Sequence, residues 1–355
     1  MPLPTTTSPG AAEWVQGYSF TPGDLEVGSR TPGISAFMRI RNGEEFLEAT
    51  IRSHIDFFDE IVAVYNQCTD STAEILLRLR QEFPGKLRVI HYVDRVFPPG
   101  SEGHAATPAV SPNSLVNYYN AALAATRYSI ATKLDDDHLA IAESTRRVTD
   151  DLRRGALGSD AMHCFSGLNL IRGPARELGV LASTPISGGG DIGFFPVRPD
   201  TYFVHDRRFE RFQRGGLPRR FVGFLYWHLK YLKAELGFAN YELADNPNSR
   251  YARRRKALAE NPNTLLDVSA LPSRLQPGAV DRLEALLSRK KRLAAQRNRA
   301  VAAEFPDANT ADAVRRTVAA EFLGAVGLAA AAPLAAPLAA PLAAISLATN
   351  PPATI

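Results

Sequence analysis

Apolar residues between positions 34 and 133 follow two alternating patterns, continuous β-branched runs and runs with helical spacing. Continuous runs are typical of buried parallel strands, and helical spacing places apolar side chains on one face of a helix. The pattern predicts strands over residues 34–40, 61–65, 87–93 and 128–132, with helices over 44–55, 73–80 and 114–126. This order winds right-handedly into a parallel sheet, so we expect an α/β fold with a mostly parallel sheet flanked by helices.

The pattern is less regular after residue 160. Residues 161–171 are predicted to form another strand, and residues 192–197 and 201–205 are predicted to pair as a hairpin. The aromatic-rich segment 221–232 is predicted to be a helix, and residues 279–304 are predicted to form a basic helix.

Composition divides the chain into four parts. Residues 1–33 are rich in Pro, Thr and Gly and are expected to form a disordered arm, which precedes an α/β domain over 34–245. A basic helical extension over 246–305 and an Ala/Pro-rich low-complexity tail over 306–355 follow. Residues 322–347 are uncharged and long enough to span a bilayer, but their recurring prolines favour a disordered or polyproline-like tail over a membrane anchor.

Charge and cysteine content narrow the class of protein. The 355 residues carry a net charge of +4, and the basic runs at 253–256 and 289–292 lack interleaved aromatic residues, so no nucleic-acid partner is expected. These runs fit a solvated helix face or an anionic membrane surface, which leaves peripheral association with the inner face of a membrane open. Two cysteines and no signal-peptide pattern predict a protein of the reducing cytoplasm.

Three consecutive aspartates, Asp135, Asp136 and Asp137, follow the predicted strand 128–132. Adjacent carboxylates repel one another, so either a cation lies between them or they form a solvated acidic turn. Alternation along a strand would turn Asp135 and Asp137 to one face and Asp136 to the other. Mg²⁺ and Mn²⁺ bind one or two carboxylates together with phosphate oxygens, so the converging pair predicts a divalent cation that carries phosphates.

A second polar cluster, residues 66–70, follows the predicted strand 61–65. Ligands of parallel sheets bind outside the carboxyl ends of the strands, which is where both clusters are expected to lie. The sequence therefore predicts that two clusters far apart along the chain line one crevice.

Four passages together resemble bacterial glycosyltransferases of the family 2-like type, which have the GT-A fold. Residues 37–47 resemble the first strand and helix, with the Arg-Asn-x-Glu variant at 41–44 that marks the nucleotide pocket. Residues 59–70 are similar to the second strand and its turn, and residues 134–137 match the Asp-x-Asp signature. Residues 227–230 resemble the passage whose late histidine completes metal coordination in some members.

The resemblance implies that residues 34–245 form a GT-A glycosyltransferase domain with Mn²⁺ or Mg²⁺ as cofactor. Its donor would be a nucleoside-diphosphate sugar and its acceptor a carbohydrate or lipid-linked hydroxyl, in bacterial surface polysaccharide or glycolipid synthesis. The residues implied to bind the nucleotide are Arg41, Asn42, Asn66, Asp70, Asp135 and Asp136. Those implied to hold the metal are Asp135, Asp137 and His228, with His138 and His205 as further candidates.

Sugar transfer also requires a proton acceptor. An inverting enzyme needs one carboxylate within hydrogen-bond reach of the attacking hydroxyl. Asp191 is the candidate, because the preceding glycines at 188–190 let the backbone approach a ligand closely. An aspartate that caps a turn would have the same neighbours.

Two other functions remain alternatives. A nucleotidyltransferase would share the fold, the cation and the aspartates. However, the segment 41–44 has a glutamate beside its single arginine where such an enzyme binds a triphosphate with several cationic side chains. A catalytically degenerate domain would instead offer a partner surface in a polysaccharide assembly complex.

Overall fold

The structure is a computed structural model that describes residues 12–303, except for 27, 29, 100, 173–177, 206–209, 245–246, 261–264, 267–270, 272–274 and 276–284. Its strands are β1 (Glu13–Val15), β2 (Thr31–Ile40), β3 (Glu60–Tyr65), β4 (Leu87–Tyr92), β5 (Tyr128–Lys133), β6 (His138–Ala140), β7 (Met162–Arg172), β8 (Leu178–Leu181), β9 (Ile186–Ser187), β10 (Gly193–Pro196), β11 (Thr201–His205), β12 (Glu210–Arg214), β13 (Arg219–His228) and β14 (Leu265–Leu266). Its helices are α1 (Leu47–His54), α2 (Thr72–Glu82), α3 (Glu102–Ala106), α4 (Leu115–Ala124), α5 (Ala142–Arg153), α6 (Arg250–Glu260) and α7 (Arg289–Ala302), with 3₁₀ turns at Pro22–Leu25, Lys230–Leu232 and Ala234–Gly237.

A mixed sheet of 12 strands forms the centre of the molecule. Its main path is β1-β4-β3-β2-β5-β10-β7-β13-β6, and every strand on that path except β10 and β6 points in the same direction. β8 and β9 pair with β7, β14 pairs with β8, and β11 and β12 form a separate hairpin. The predicted α/β class and the mostly parallel sheet flanked by helices are confirmed.

Both faces of the sheet are covered, which explains why its first strands read as continuous apolar runs. Along β2, Phe37 packs with Val62 and helix α4 on one face. Met38 and Ile40 point to the other face, where they pack with α1, α2 and α5. The alternation along each strand thus supplies two cores, one on each side of the sheet.

The segment before β2 is structured, so the expectation of a disordered arm over residues 1–33 is wrong for the described residues after 11. β1 pairs in parallel with β4, and Glu13 forms an ion pair of 2.9 Å with Arg88. Leu25 is completely buried in the core under α4. A strand of three residues has too few positions for a recognisable periodicity, so composition alone misled the prediction. Residues 1–11 lie outside the described residues.

Two predictions about the later part of the chain are also wrong. Residues 221–232, predicted as a helix, form most of β13 and then a 3₁₀ turn. β13 lies between β7 and β6, and a buried strand gives the same continuous aromatic and aliphatic run as a buried helix. The predicted hairpin of 192–197 with 201–205 does not form, because β10 inserts between β5 and β7 while β11 pairs with β12.

Part of the predicted basic extension packs against the sheet. α6 buries Leu258 against Ile171 of β7, and α7 buries Val301 in the cluster that contains Trp227 of β13. The Ala/Pro-rich tail at 306–355, including the candidate anchor 322–347, lies outside the described residues. No helix in the part of the chain that the structure describes has the length and apolarity that a bilayer crossing needs.

Candidate active site

A crevice opens at the carboxyl ends of the parallel strands and has a volume of about 670 Å³. That size suits a ligand comparable to a small organic molecule or a nucleotide. Residues 66 and 135–137 both border it, as the sequence predicted. Its lining includes the predicted site residues Arg41, Asn42, Asn66, Asp70, Asp135, Asp136, Asp137, Asp191 and His228, and the further candidate His138. The other further candidate, His205, lies outside this lining and packs against the His104 ring.

The three aspartates lie in the turn between β5 and β6, since β5 ends at Lys133. Strand alternation therefore does not apply to them, and the expected pairing of Asp135 with Asp137 on one face is wrong. The Asp135 carboxylate lies 2.9 Å from the Lys133 ammonium. Asp136 and Asp137 instead share the Lys233 ammonium, at 2.9 Å and 3.3 Å.

Asp137, His138 and His228 form a compact group of metal-ligand type. Their ligand atoms lie within 4.8 Å of one another. The structure thus brings Asp137 and His228 together as predicted, and the third member of the group is the further candidate His138 instead of Asp135. Asp135 Oδ2 lies 3.8 Å from His138 Nε2 and is not part of the group.

Asn169, on β7, orients the His228 ring. Its Nδ2 donates to the Thr184 carbonyl at 2.7 Å, so its Oδ1 faces His228 Nδ1 at 2.6 Å and accepts a hydrogen bond from it. With Nδ1 as the donor to Asn169, Nε2 is the nitrogen that faces Asp137 Oδ1, 3.4 Å away. Both atoms offer a lone pair to a proton or a cation that lies between them.

Burial and neighbouring charges set the protonation states of the group. Burial lowers the pKa of His138 to about 3, against the opposing effect of Asp135, so the ring is neutral at physiological pH. Burial alone would raise the pKa of Asp137, but the neighbouring charges, of which Lys233 has the largest effect, outweigh it and hold that pKa well below the usual carboxyl value. A neutral imidazole and an ionised carboxylate are the forms that bind metals.

The donor set fits a divalent cation. Asp137 Oδ1 and His138 Nε2 are buried and make no hydrogen bond to any described residue, which leaves two ligand atoms available. One carboxylate and two imidazoles suit Mn²⁺ better than Mg²⁺, which prefers an all-oxygen shell. Asp137, His138 and His228 are therefore the residues that would hold Mn²⁺.

Arg41, Asn42 and Asp70 shape the crevice on the β2 side. Asn42 has a positive φ of 50°, and its Oδ1 accepts a hydrogen bond from the Thr69 amide at 2.8 Å. Asp70 accepts hydrogen bonds from the Thr72 and Glu44 amides, each at 3.1 Å, and so caps the start of α2. Asn42 and Asp70 thus fix the loops around the crevice, whereas the Arg41 Nε is buried without a hydrogen bond to the described residues.

Asn66 does not offer its amide to a ligand as the sequence interpretation expected. Its Nδ2 donates to the carbonyls of Tyr92 and Asp94 at 2.7 Å and 2.6 Å, and its Oδ1 accepts from the Val96 amide. These bonds position the loop after β4. The preceding Tyr65 stacks on His91 with ring centroids 4.7 Å apart.

Asp191 is exposed at the border of the crevice. Its Oδ1 accepts a hydrogen bond from the Gly189 amide at 2.8 Å, and Gly188 and Gly190 adopt positive φ angles of 79° and 92°. The predicted proton acceptor therefore also caps its own turn, and one of its carboxylate oxygens is committed to that bond. Whether it acts as a base stays a prediction.

Sequence reasoning missed two residues of the site. Asn169 is a polar residue inside the apolar run of β7, and that interruption is a signal that could have revealed it. Lys233 lies five positions beyond His228 in an irregular segment, where no periodicity marks it.

No protein-family model matches the chain, and no curated protein matches it by sequence. Among solved structures, it is similar to glucosyl-3-phosphoglycerate synthase from Mycobacterium tuberculosis in complex with Mn²⁺, uridine-diphosphate and phosphoglyceric acid. The identity is 20%, the match covers 43% of this chain and 50% of that chain, and the TM-score is 0.25. S. aureus TarS in complex with UDP is 12% identical over 75% of this chain and 88% of that chain, with a TM-score of 0.33. The match spans half of the synthase's length. These likenesses are distant, so the function has to be inferred from the residues of the crevice.

Proposed function

We propose that this chain is a metal-dependent glycosyltransferase of the GT-A type, which moves a sugar from a nucleoside-diphosphate sugar to an acceptor hydroxyl. The observation that carries the proposal is the group of Asp137, His138 and His228, which faces a crevice of about 670 Å³ at the carboxyl edge of the sheet. A divalent cation at that edge, next to an open crevice, suits a ligand that carries phosphates.

The bound cation would neutralise the charge that develops on the diphosphate leaving group. In the transfer itself, the acceptor oxygen bonds to the anomeric carbon as that carbon loses its bond to the diphosphate oxygen, through an oxocarbenium-like state. Asp191 takes the hydroxyl proton, and a single displacement inverts the anomeric configuration. Arg41 and Asn42 border the end of the crevice where the nucleotide would bind. Asp135 forms an ion pair with Lys133, and Asp136 forms one with Lys233.

The acceptor we propose is a carbohydrate or lipid-linked saccharide, as in bacterial surface polysaccharide or glycolipid synthesis, carried out in the cytoplasm. α7 supports contact with the inner face of a membrane. The run at 289–292 at its start is exposed, and α7 contains no acidic residue. Cationic helices of this kind bind anionic lipid surfaces.

A thermal-shift screen of UDP-, GDP-, CMP- and TDP-sugars with and without Mn²⁺ tests the proposal. A ligand at about 100 times its dissociation constant stabilises a protein by roughly 2.7 kcal/mol, and we expect one nucleotide class to do so in the presence of Mn²⁺. Asp137→Asn should abolish this Mn²⁺-dependent gain because it removes the charged ligand. Asp160→Asn is the matched control, since Asp160 pairs with Arg220 on the surface, outside the crevice.

The products then separate the alternatives. A glycosyltransferase releases the nucleoside diphosphate, whereas a nucleotidyltransferase releases pyrophosphate from a triphosphate. A degenerate domain would bind Mn²⁺ and nucleotide without turnover. If no nucleotide sugar stabilised the parent protein with Mn²⁺, the proposed function would be wrong.

A further inference from the structure

Lys233 is an internal cation in the middle of the proposed metal site. Its ammonium lies 2.9 Å from Asp136 Oδ2 and 3.3 Å from Asp137 Oδ2, and its side chain is only 12% exposed. Two carboxylates within ion-pair distance favour the charged form of this side chain. The two aspartates are therefore already neutralised in part by the chain itself.

The segment that carries Lys233 crosses the crevice. It starts at β13, where the Leu229 amide donates to the Asp137 carbonyl at 2.8 Å. The Ala234 amide then donates to the Glu45 carboxylate at 3.1 Å. Farther along, Asn240 Nδ2 donates to the Arg41 carbonyl at 2.5 Å. We call residues 229–240 the crossing segment. Its hydrogen bonds connect Asp137, beside the proposed metal group, to Arg41 on the β2 side of the crevice, where the nucleotide is proposed to bind.

Asp137 faces two cation positions at once. Its Oδ1 faces the lone pair of His228 Nε2, and its Oδ2 faces the Lys233 ammonium. A divalent cation on this carboxylate would repel an ammonium held on the same side chain, because like charges at short range in a buried site interact strongly. Lysine and metal are expected to compete for Asp137.

We propose that Lys233 is a displaceable counter-cation, which leaves Asp136 and Asp137 when Mn²⁺ binds and then binds a diphosphate oxygen of the donor. The second step rests on the function proposed above. The ammonium borders the same crevice and its segment reaches the nucleotide side, so a short movement keeps it among phosphate oxygens. Exchange of one cation for another keeps Asp137 neutralised throughout, and Asp136 is left to solvent in the crevice that it borders.

Lys230, three positions earlier, provides a matched control. It also borders the crevice, but its ammonium donates to the Tyr241 hydroxyl at 3.1 Å and lies 4.9 Å from the ring centroids of Phe238 and Tyr241. Its direct contacts are thus with aromatic side chains, and Asp137 acts on it at longer range.

The first experiment measures Mn²⁺ affinity by calorimetry with MnCl₂ and no nucleotide. Lys233→Gln should bind Mn²⁺ at least about tenfold more tightly than the parent, because the competing charge is gone. Lys233→Arg keeps the charge and should resemble the parent, and Lys230→Gln should change the affinity much less. With saturating Mn²⁺, UDP should bind about tenfold more weakly to Lys233→Gln. A merely structural lysine would not change the two affinities in opposite directions.

A second measurement uses the parent protein alone, so it does not depend on the folding of a variant. Hydrogen exchange in the crossing segment should become faster when Mn²⁺ is added without nucleotide, and slower again when UDP follows. Unchanged or slower exchange with Mn²⁺ alone would overturn the proposal, as would a folded Lys233→Gln with unchanged or weaker Mn²⁺ affinity. If the parent bound Mn²⁺ and UDP normally in that case, the proposed function would stand without this role for Lys233. Absence of Mn²⁺ binding in both proteins would overturn the metal site as well.

Discussion

Replacement of Asn169 by alanine tests how the proposed metal site is built. The variant removes the hydrogen bond of 2.6 Å that fixes the proton on His228 Nδ1, and with it the bond of 2.7 Å to the Thr184 carbonyl. His228 would then turn more freely and present either nitrogen to Asp137. Loss of such an outer partner of a ligating histidine typically costs about 10- to 100-fold in metal affinity, or about 1.4–2.7 kcal/mol.

The assay is Mn²⁺ binding followed by electron paramagnetic resonance or calorimetry, with melting recorded in parallel. Asn120→Ala is the matched control, because Asn120 is another buried amide that bonds both to the Phe203 carbonyl and to its amide, away from the crevice. Both variants should lower the melting temperature, but only Asn169→Ala should weaken Mn²⁺. If Asn169→Ala kept its Mn²⁺ affinity within about threefold of the parent, the assigned proton position and the His228 ligand would both be refuted.

Two further predictions concern catalysis and pH. Asp191→Asn should lower turnover by ~10²–10⁴-fold while the donor affinity stays nearly the same. The product of the parent enzyme should have an inverted anomeric centre, and a retained centre in a nuclear magnetic resonance assay would contradict this role of Asp191. Burial lowers the pKa of His54 from 6.5 to about 4, so below pH 6.5 the unfolded chain takes up a proton that the folded protein does not. The free energy of unfolding should therefore fall by up to about 3 kcal/mol between pH 6.5 and 4 through this group. Urea unfolding of His54→Phe should show a smaller loss over that range, and an identical loss would exclude this role of His54.

The elements of the first half of the fold could be predicted because each has its own pattern of apolar residues in the sequence. Strands β2 and β3 are covered on both faces, and α4 begins and ends within two residues of its predicted range. β13 could not be recognised in the same way, since its apolar run fits a buried helix and a buried strand equally well. β1 is too short for any pattern, and its partner lies about 75 residues farther along the chain.

The crevice could be predicted from strand ends, but the roles within it could not. Parallel strands bring Asn66 and Asp137 to one edge whatever their side chains do. Which atoms are free depends on contacts between distant residues, such as Asn66 with the loop after β4 and Lys233 with Asp137. The sequence therefore pointed to Asp137 and His228, and it named Asp135 beside them where the structure places His138, which was only a further candidate.

The position of β10 has a consequence for how the two parts of the sheet are held together. β10 is four residues long and contributes two residue pairs to β5 on one side and two to β7 on the other. In the sheet, this short strand connects one half, built from β1 to β5, with the other half, built around β7 and β13. Few backbone hydrogen bonds therefore link the two halves, and side chains of both halves that pack in the two shared cores supply the rest of the connection. The aspartate turn crosses the same boundary, from β5 to β6. A cation bound by Asp137 of that turn and by His228 at the end of β13 would add a direct link between the halves, so its binding should also stabilise the sheet against separation of its two parts.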